Sequence, residues 1–280
     1  MDLQSQVCLD QHKQGRRHCR RLFDAGLASS PYPDAFRAAA AAAAEFAYSP
    51  YMEKDEFLVD LALGRRYRNI VILTGAGVST SAGVPDYRSG GGGGVFEQVQ
   101  KDIAARFPDV KNATASSPEV VFSREFANNY PGVFYDEILP AMHEMFRDLQ
   151  PTPTHRFCSY LAKRGWLKRL YTQNVDGLHT HPSLDMDEDL VVECHGSMQR
   201  GDLVLYGDSL PQRFFDSVST DFVDSNSQRV DLVMVFGTSL RVKPFCGIPN
   251  LAPKRCHRVL VNQNLNDCFT GDPCSDNSSC

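Results

Sequence analysis

The sequence predicts an α/β fold, a doubly wound parallel sheet joined to a smaller, reduced helical lobe. Three observations carry that prediction. Four short apolar runs, at residues 69–73, 190–192, 231–236 and 259–261, have the composition of strands buried on both faces. Apolar residues at helical spacing lie between these runs. The first run feeds straight into a glycine-rich turn, residues 74–83. Strands alternating with helices imply parallel pairing, and in open sheets of that kind ligands bind beyond the carboxyl ends of the strands.

Taken in chain order, residues 1–49 read as an accessory tail, partly disordered, polar at first and without sustained periodicity. It contains seven alanines, Ala38 to Ala44. Alanine is the best helix former, so a short exposed helix is expected there, closed by Pro50. The folded unit is expected over 50–266. Phe57, Leu58, Leu61 and Ala62 repeat at helical spacing, and Gly64 ends that helix. The strand at 69–73 and its glycine-rich turn follow. Phe134, Ile138, Met142, Met145 and Leu149 line one face of a further helix. Thr154 can cap a helix with Phe157, Cys158, Leu161 and Ala162 on one face and Gly165 at its end. The next strand starts near Lys168. Pro249 falls where a helix is expected and shortens it. Residues 267–280 read as a C-terminal tail, and no internal repeat is visible.

Composition excludes several classes. The chain has 280 residues, 42% apolar and 22% charged, which is ordinary globular arithmetic. At roughly 150 residues per domain this is one large domain or two unequal lobes. Mean hydropathy is −0.32, and no apolar run approaches the roughly 20 residues of a membrane span. A net charge of −5 supplies no global electrostatic reason to bind nucleic acid. Nine cysteines without an N-terminal apolar segment argue against a secreted, disulfide-stapled protein. Arg16, Arg17, Arg20 and Arg21 suggest organelle targeting, but Asp2 and Asp10 oppose it. The expectation is an intracellular protein, in cytoplasm or nucleus ahead of the mitochondrion.

The chemistry-bearing residues cluster where strands end. In the turn Thr74-Gly75-Ala76-Gly77-Val78-Ser79-Thr80, two glycines permit tight turning and close approach of backbone N–H groups to a pyrophosphate at a helix N-terminus. A conventional dehydrogenase fingerprint wants a third glycine where Thr80 stands, and an acidic residue about 20 positions on, which is missing. Alone, the turn is a weak signal and reads better as a structural one. Asp86, Tyr87 and Arg88 then place a carboxylate, a ring and a guanidinium just after it. The stretch from Tyr171 to His179 contains Asp176 and two amides, Gln173 and Asn174, which can orient a carboxamide and ribose hydroxyls. Glu193-Cys194-His195-Gly196 ends another strand with a histidine suited to general-base work. Gly237-Thr238-Ser239-Leu240 and Val261-Asn262-Gln263-Asn264 end two more with small polar residues.

These pieces, in this order over roughly residues 50–265, resemble the sirtuin family. The resemblance implies a Rossmann-like NAD-binding lobe and an NAD-consuming protein lysine deacetylase. In such enzymes the acyl-lysine amide oxygen attacks the nicotinamide ribose carbon, nicotinamide leaves, and free lysine and O-acyl-ADP-ribose are the products. Carried over by motif, His195 is the base, with Asn174 beside it as a catalytic residue. The cofactor-binding set implied is Gly75, Ala76, Gly77, Ser79, Thr80, Asp86, Tyr87, Arg88, Gln173, Asn174, Asp176, Gly237, Thr238, Ser239 and Asn262. The stretch from Asp202 to Pro211 resembles the strand that pairs with substrate backbone, so Val204, Tyr206 and Gly207 are the substrate-binding candidates. A plain buried strand is the competing reading. The partner implied is an acetylated protein, with histones and tubulin-like proteins as candidates, and neither nucleic acid nor membrane. No Tyr-x-x-Arg pair favours acidic acyl groups.

The family pattern is broken in one large way. Sirtuins usually carry a four-cysteine zinc ribbon after the histidine, which needs at least about 23 residues. Eleven residues separate His195 from Gly207, and none is cysteine. No ribbon zinc and no other metal site is therefore expected. The alternative to a working enzyme is an NAD-binding relative with little turnover. A pure interaction module would leave His195 and the amides without purpose. Gly90 to Gly94 make the loop after Arg88 unusually flexible in expectation.

Overall fold

The computed structural model describes residues 7–9 (as backbone), 54–64, 66–84, 95–110, 118–224 and 229–263. The alanine run, the five glycines, Asp86, Tyr87, Arg88 and the C-terminal tail lie outside these residues. Six strands form one sheet: β1 (Val7–Leu9), β2 (Ile70–Thr74), β3 (Leu167–Thr172), β4 (Val191–Glu193), β5 (Leu232–Phe236) and β6 (His257–Val261). Their order is β1-β6-β5-β2-β3-β4. The five strands from β2 to β6 pair in parallel, as the apolar runs predict. The sixth differs from expectation. β1 lies in the segment read as a tail, and it pairs antiparallel to β6, from Val7 opposite Val261 to Leu9 opposite Val259. An edge strand's unpaired N–H and C=O groups accept such a segment whatever its side chains.

Register decides where the site can form. Val261, Phe236, Thr74, Thr172 and Glu193 are consecutive partners across the sheet, so all five parallel strands end in one row. β2 is central. The chain proceeds to β3 and β4 on one side of it, then to β5 and β6 on the other, which makes the β2–β5 crevice the switch point where ligands bind.

Each sheet face is buried by helices, which is why β2 and β5 are almost wholly apolar and the charged residues of β3 and β6 sit near their starts. One face presents Val71, Leu73, Tyr171, Val192, Val233 and Val235 to Phe214, Phe215, Ile248 and Leu251. The other presents Ile70, Ile72, Leu170 and Met234 to Phe57, Leu61, Cys158 and Trp166. The helices are α1 (Lys54–Ala62), α2 (Val95–Arg106), α3 (Arg124–Asn129), α4 (Leu139–Phe146), α5 (Pro153–Lys163), α6 (Gln212–Val218) and α7 (Ile248–Leu251). α2, α3 and α4 build the smaller lobe around a third core that includes Ile103, Phe126, Phe134, Ile138 and Met142.

Several boundaries differ from the sequence reading, each for a local reason. α5 is capped by Thr152 rather than Thr154: Pro153 occupies the first turn, and the Thr152 amide donates to His155 Nδ1 at 3.2 Å. The second apolar run loses Leu190 to a 3-10 turn whose cap is Asp187, accepting from Asp189 N at 2.9 Å. The helix through Phe134 enters α4 by a π turn, Phe134–Ile138. Pro140 has no N–H to return to the preceding turn, and the wider turn accommodates the gap. Pro249 leaves α7 only four residues long, as expected.

Candidate functional site

The β2 turn and the β5 turn lie in backbone contact. Gly75 N donates to Phe236 O at 3.1 Å, and Gly77 N donates to Gly237 O at 2.9 Å. A Cβ on Gly77 would sit 2.8 Å from Gly237 Cα, and one on Gly75 would sit 2.6 Å from Thr238 Cβ. These glycines therefore admit the neighbouring turn, and their amides are engaged with it. Any backbone N–H groups of this turn that approach a pyrophosphate are therefore other than those of Gly75 and Gly77. No α-helix follows either. The chain makes two 3-10 turns, Ala76–Val78 and Thr80–Ala82, and Gly83 leaves them in the left-handed region at φ 99°. Val84 precedes a proline, which disfavours helical continuation. Ala76, half-buried, and Thr80, exposed, face outward from this turn, while Ser79 is buried.

Inside the turn lies a polar network built around the Asp176 carboxyl. Ser79 Oγ donates to Asp176 Oδ2 at 2.6 Å, and Asn174 Nδ2 donates to Ser79 Oγ at 3.0 Å. Leu178 N donates to Asp176 Oδ1, and Asn174 N to Thr172 Oγ1. Burial pushes the Asp176 carboxyl up, and its hydrogen bonds pull it back only in part. From β5, Thr238 Oγ1 donates to Gln173 Oε1 at 2.8 Å, and Leu240 N donates to Thr238 Oγ1. Asn262, beyond β6, reaches Thr238 O at 3.5 Å. Ser239 stands next to them, half-buried.

Two atoms remain open. Among the described residues, Gln173 Nε2 and Asn174 Oδ1 are buried without a hydrogen-bond partner. They are one donor and one acceptor on adjacent residues at the end of β3. A buried polar group without a partner is costly, so this pair fits a ligand offering both functions, as a carboxamide and ribose hydroxyls do.

His195 stands at the next strand end. Its Nδ1 lies 3.0 Å from Gln173 O. A carbonyl only accepts, so Nδ1 carries the proton and Nε2 keeps its lone pair. Burial lowers the ring's pKa, which keeps it neutral near pH 7. Thus one residue, Gln173, orients the His195 ring through its backbone and leaves a buried side-chain donor open.

The substrate candidates do not form the expected strand. Only Tyr206 makes a ladder contact, a single parallel bridge to Ser123. Tyr206 N donates to Phe122 O, and Arg124 N donates to Tyr206 O at 2.9 Å. Asp208 Oδ2 takes the Leu205 amide, and Gly207 adopts φ 97°, so the chain turns away. Val204 is half-buried, while Tyr206 and Gly207 are exposed. The segment is held instead by Arg124, whose Nε and Nη2 bond both Asp208 oxygens at 2.9 and 2.7 Å. Sequence reasoning missed this pair because its members lie 84 residues apart. It also missed the buried rings of His155 and His179, whose centroids are 4.3 Å apart beneath Thr74. Among the described residues no group of three or more His, Cys, Asp or Glu could hold a metal ion, and no helix is long and apolar enough to cross a membrane.

Comparison with known proteins adds a family. The sequence model of the Sir2 family matches residues 75–201, the span from the β2 turn to just past His195. The NAD-dependent deacetylase sir2D of Dictyostelium discoideum is 31% identical over 239 residues, covering 71% of this chain and 40% of that protein. The NAD-dependent protein deacetylase sirtuin-2 of Danio rerio is 30% identical over 240 residues, 71% of this chain and 57% of that one. The NAD-dependent protein deacetylase hst2 of Schizosaccharomyces pombe is 29% identical over 250 residues, 77% of this chain and 68% of that one. The chain spans about half the length of the first two.

Proposed function

We propose, from the match of the Sir2 family model to residues 75–201 and the likeness to NAD-dependent deacetylases, that this chain is a Sir2-type NAD-dependent protein lysine deacylase, working inside the cell on a neutral acyl group such as acetyl. Bound NAD supplies a ribose carbon bearing a good leaving group, nicotinamide. The open pair at Gln173 and Asn174 fits its carboxamide and ribose hydroxyls. In this reading Gln173, Asn174 and, through Ser79, Asp176 orient the nicotinamide ribose. Amides do so without adding charge, which suits a site where positive charge develops on the sugar. In the same reading Gly75, Ala76, Gly77, Thr80, Gly237, Thr238, Ser239 and Asn262 contact the cofactor, and Asp86, Tyr87 and Arg88 are assigned to it by motif alone.

His195 Nε2 takes a proton from a ribose hydroxyl, and the observation that carries the reading is its geometry. A neutral imidazole has its tautomer set by the Gln173 carbonyl, one strand from an open donor–acceptor pair. Val204, Tyr206 and Gly207 border the acyl-lysine. The connection after His195 is too short for a zinc ribbon, so the reaction runs without one.

The test is mass spectrometry of the purified chain with NAD and an acetyl-lysine peptide, with and without a strong chelator. Free lysine, nicotinamide and O-acetyl-ADP-ribose are expected in both, and none with His195→Ala, which should still bind NAD. A folded chain that binds NAD without forming products would make it a binding protein. Loss of both fold and products with the chelator would refute the zinc-free reading.

A further inference from the structure

The connection that takes the place of a ribbon is short and tightly tied. Gly196 has φ 75°, and a Cβ there would lie 2.0 Å from Asp202 O, so the two ends of loop 196–202 touch. Ser197 N donates to Asp202 Oδ1 at 2.8 Å, and Gly201 N to Ser197 O at 3.0 Å. Met198 N donates to Val175 O, and Val204 N to His195 O, each at 3.0 Å. His195 is thereby held on two sides: by Gln173 at its ring and by Val204 at its carbonyl.

One side chain spans this loop. Arg200 donates through Nε to Asp202 Oδ2 at 3.0 Å and through Nη1 to Glu193 Oε2. Glu193 ends β4 two residues before His195, and its side chain is only 4% exposed, whereas that of Arg200 is 53% exposed. A buried carboxylate is strongly unfavourable without its countercharge, and Asp176 adds a second nearby negative group.

We propose that Arg200 is a positioning residue for the deacylation: by pairing Glu193 to Asp202 it holds loop 196–202 closed and keeps His195 between Gln173 and Val204. This rests on His195 being the base. Arg200 touches neither cofactor nor substrate in this assignment, so its loss acts on the alignment of the base. It should therefore lower kcat more than either KM. Glu193→Gln removes the buried charge that Arg200 answers, so it should partly compensate for loss of Arg200.

The experiment compares the intact chain with Arg200→Ala, Arg200→Lys, Asp202→Asn and the double variant Glu193→Gln/Arg200→Ala. Steady-state kinetics, NAD binding by calorimetry and amide hydrogen exchange over 196–204 are measured on each. Arg200→Ala is expected to lower kcat tenfold or more with each KM and the NAD Kd within threefold, and to speed exchange at Gly201 and Val204. Arg200→Lys should retain most of the rate, and the double variant should exceed Arg200→Ala. If Arg200→Ala does not fold, Asp202→Asn, which keeps the buried pair, still should lower kcat and loosen the loop. A folded Arg200→Ala with unchanged kcat, or one that only melts earlier while the loop exchanges as before, overturns the proposal. Absence of deacylation in the intact chain, or an active His195→Ala, overturns the functional reading, and the exchange data then still judge the loop tie by themselves.

Discussion

The two lobes hold their functional segments by different means. In the sheet lobe, five parallel strands buried on both faces end in one row, and Gln173, Asn174 and His195 stand one to two residues past it. Their positions follow from the backbone ladder. In the small lobe, short helices, a π turn and 3-10 turns surround one apolar core, and an open groove lined by Phe134, Leu139, Met198, Leu203 and Leu205 remains. There the 204–208 segment is held by one backbone bond from Val204 to His195, one bridge and one Arg–Asp pair. The sheet lobe therefore carries the stability and the small lobe the adjustable contacts, because ladder bonds and two-sided burial act cooperatively whereas exposed ion pairs act singly.

The largest expected effect lies in the sheet. Ile72 is fully buried on central β2, and Ile72→Ala should lower the free energy of unfolding by about 2–5 kcal/mol in urea titration. A loss below about 1 kcal/mol would break the contrast between lobes.

Acid should weaken the same lobe next. Burial lowers His155 to about 4 and His179 well below its ordinary value of 6.5. Above pH 6.5 these rings are neutral folded or unfolded and contribute no pH dependence. Below it the unfolded chain takes up protons that the buried rings refuse, so stability falls with pH, by up to about 1.4 kcal/mol per unit for each ring. Thermal melting between pH 7 and 5 should show the fall, and His179→Asn should flatten it. A melting temperature independent of pH over that range would mean that the floor beneath Thr74 is wet.

The smallest stability effect belongs to the small lobe. Asp208→Asn breaks a partly exposed pair with Arg124, so it should cost about 1 kcal/mol or less. It should nevertheless raise the KM for peptide, since Gly207 and Tyr206 lose their tether, while the NAD KM stays constant. Equal changes in both constants would show that the two lobes are not separable in function.

Much of the sheet was legible. The runs at 69–73, 231–236 and 259–261 match β2, β5 and β6 to within two residues, because two-sided burial leaves an uninterrupted apolar signature. The motif residues at strand ends were legible too, as turn glycines, amides and a histidine. Thr154 was the wrong cap because the proline after Thr152 outweighs it. Val204 to Gly207 alternate like a strand, yet the Asp208 carboxylate captures Leu205 N and bends the chain. Neither Arg124–Asp208 nor the His155–His179 stack had a local signal.

What the sequence by itself determined about this protein is its five parallel strands, their α/β arrangement, the residues waiting at strand ends and the absence of room for a ribbon. Each is a local property, written in periodicity, turn chemistry or the count of residues between two points. Only the tertiary structure decided that all five parallel strands end in one row, that the β2 glycines face another turn, and that Gln173 holds the His195 ring by its backbone while its side-chain amide stays open. It alone paired Arg200 with a buried Glu193. Those outcomes depend on register and on which distant segments meet when the chain closes, and no local pattern encodes the partner across that distance.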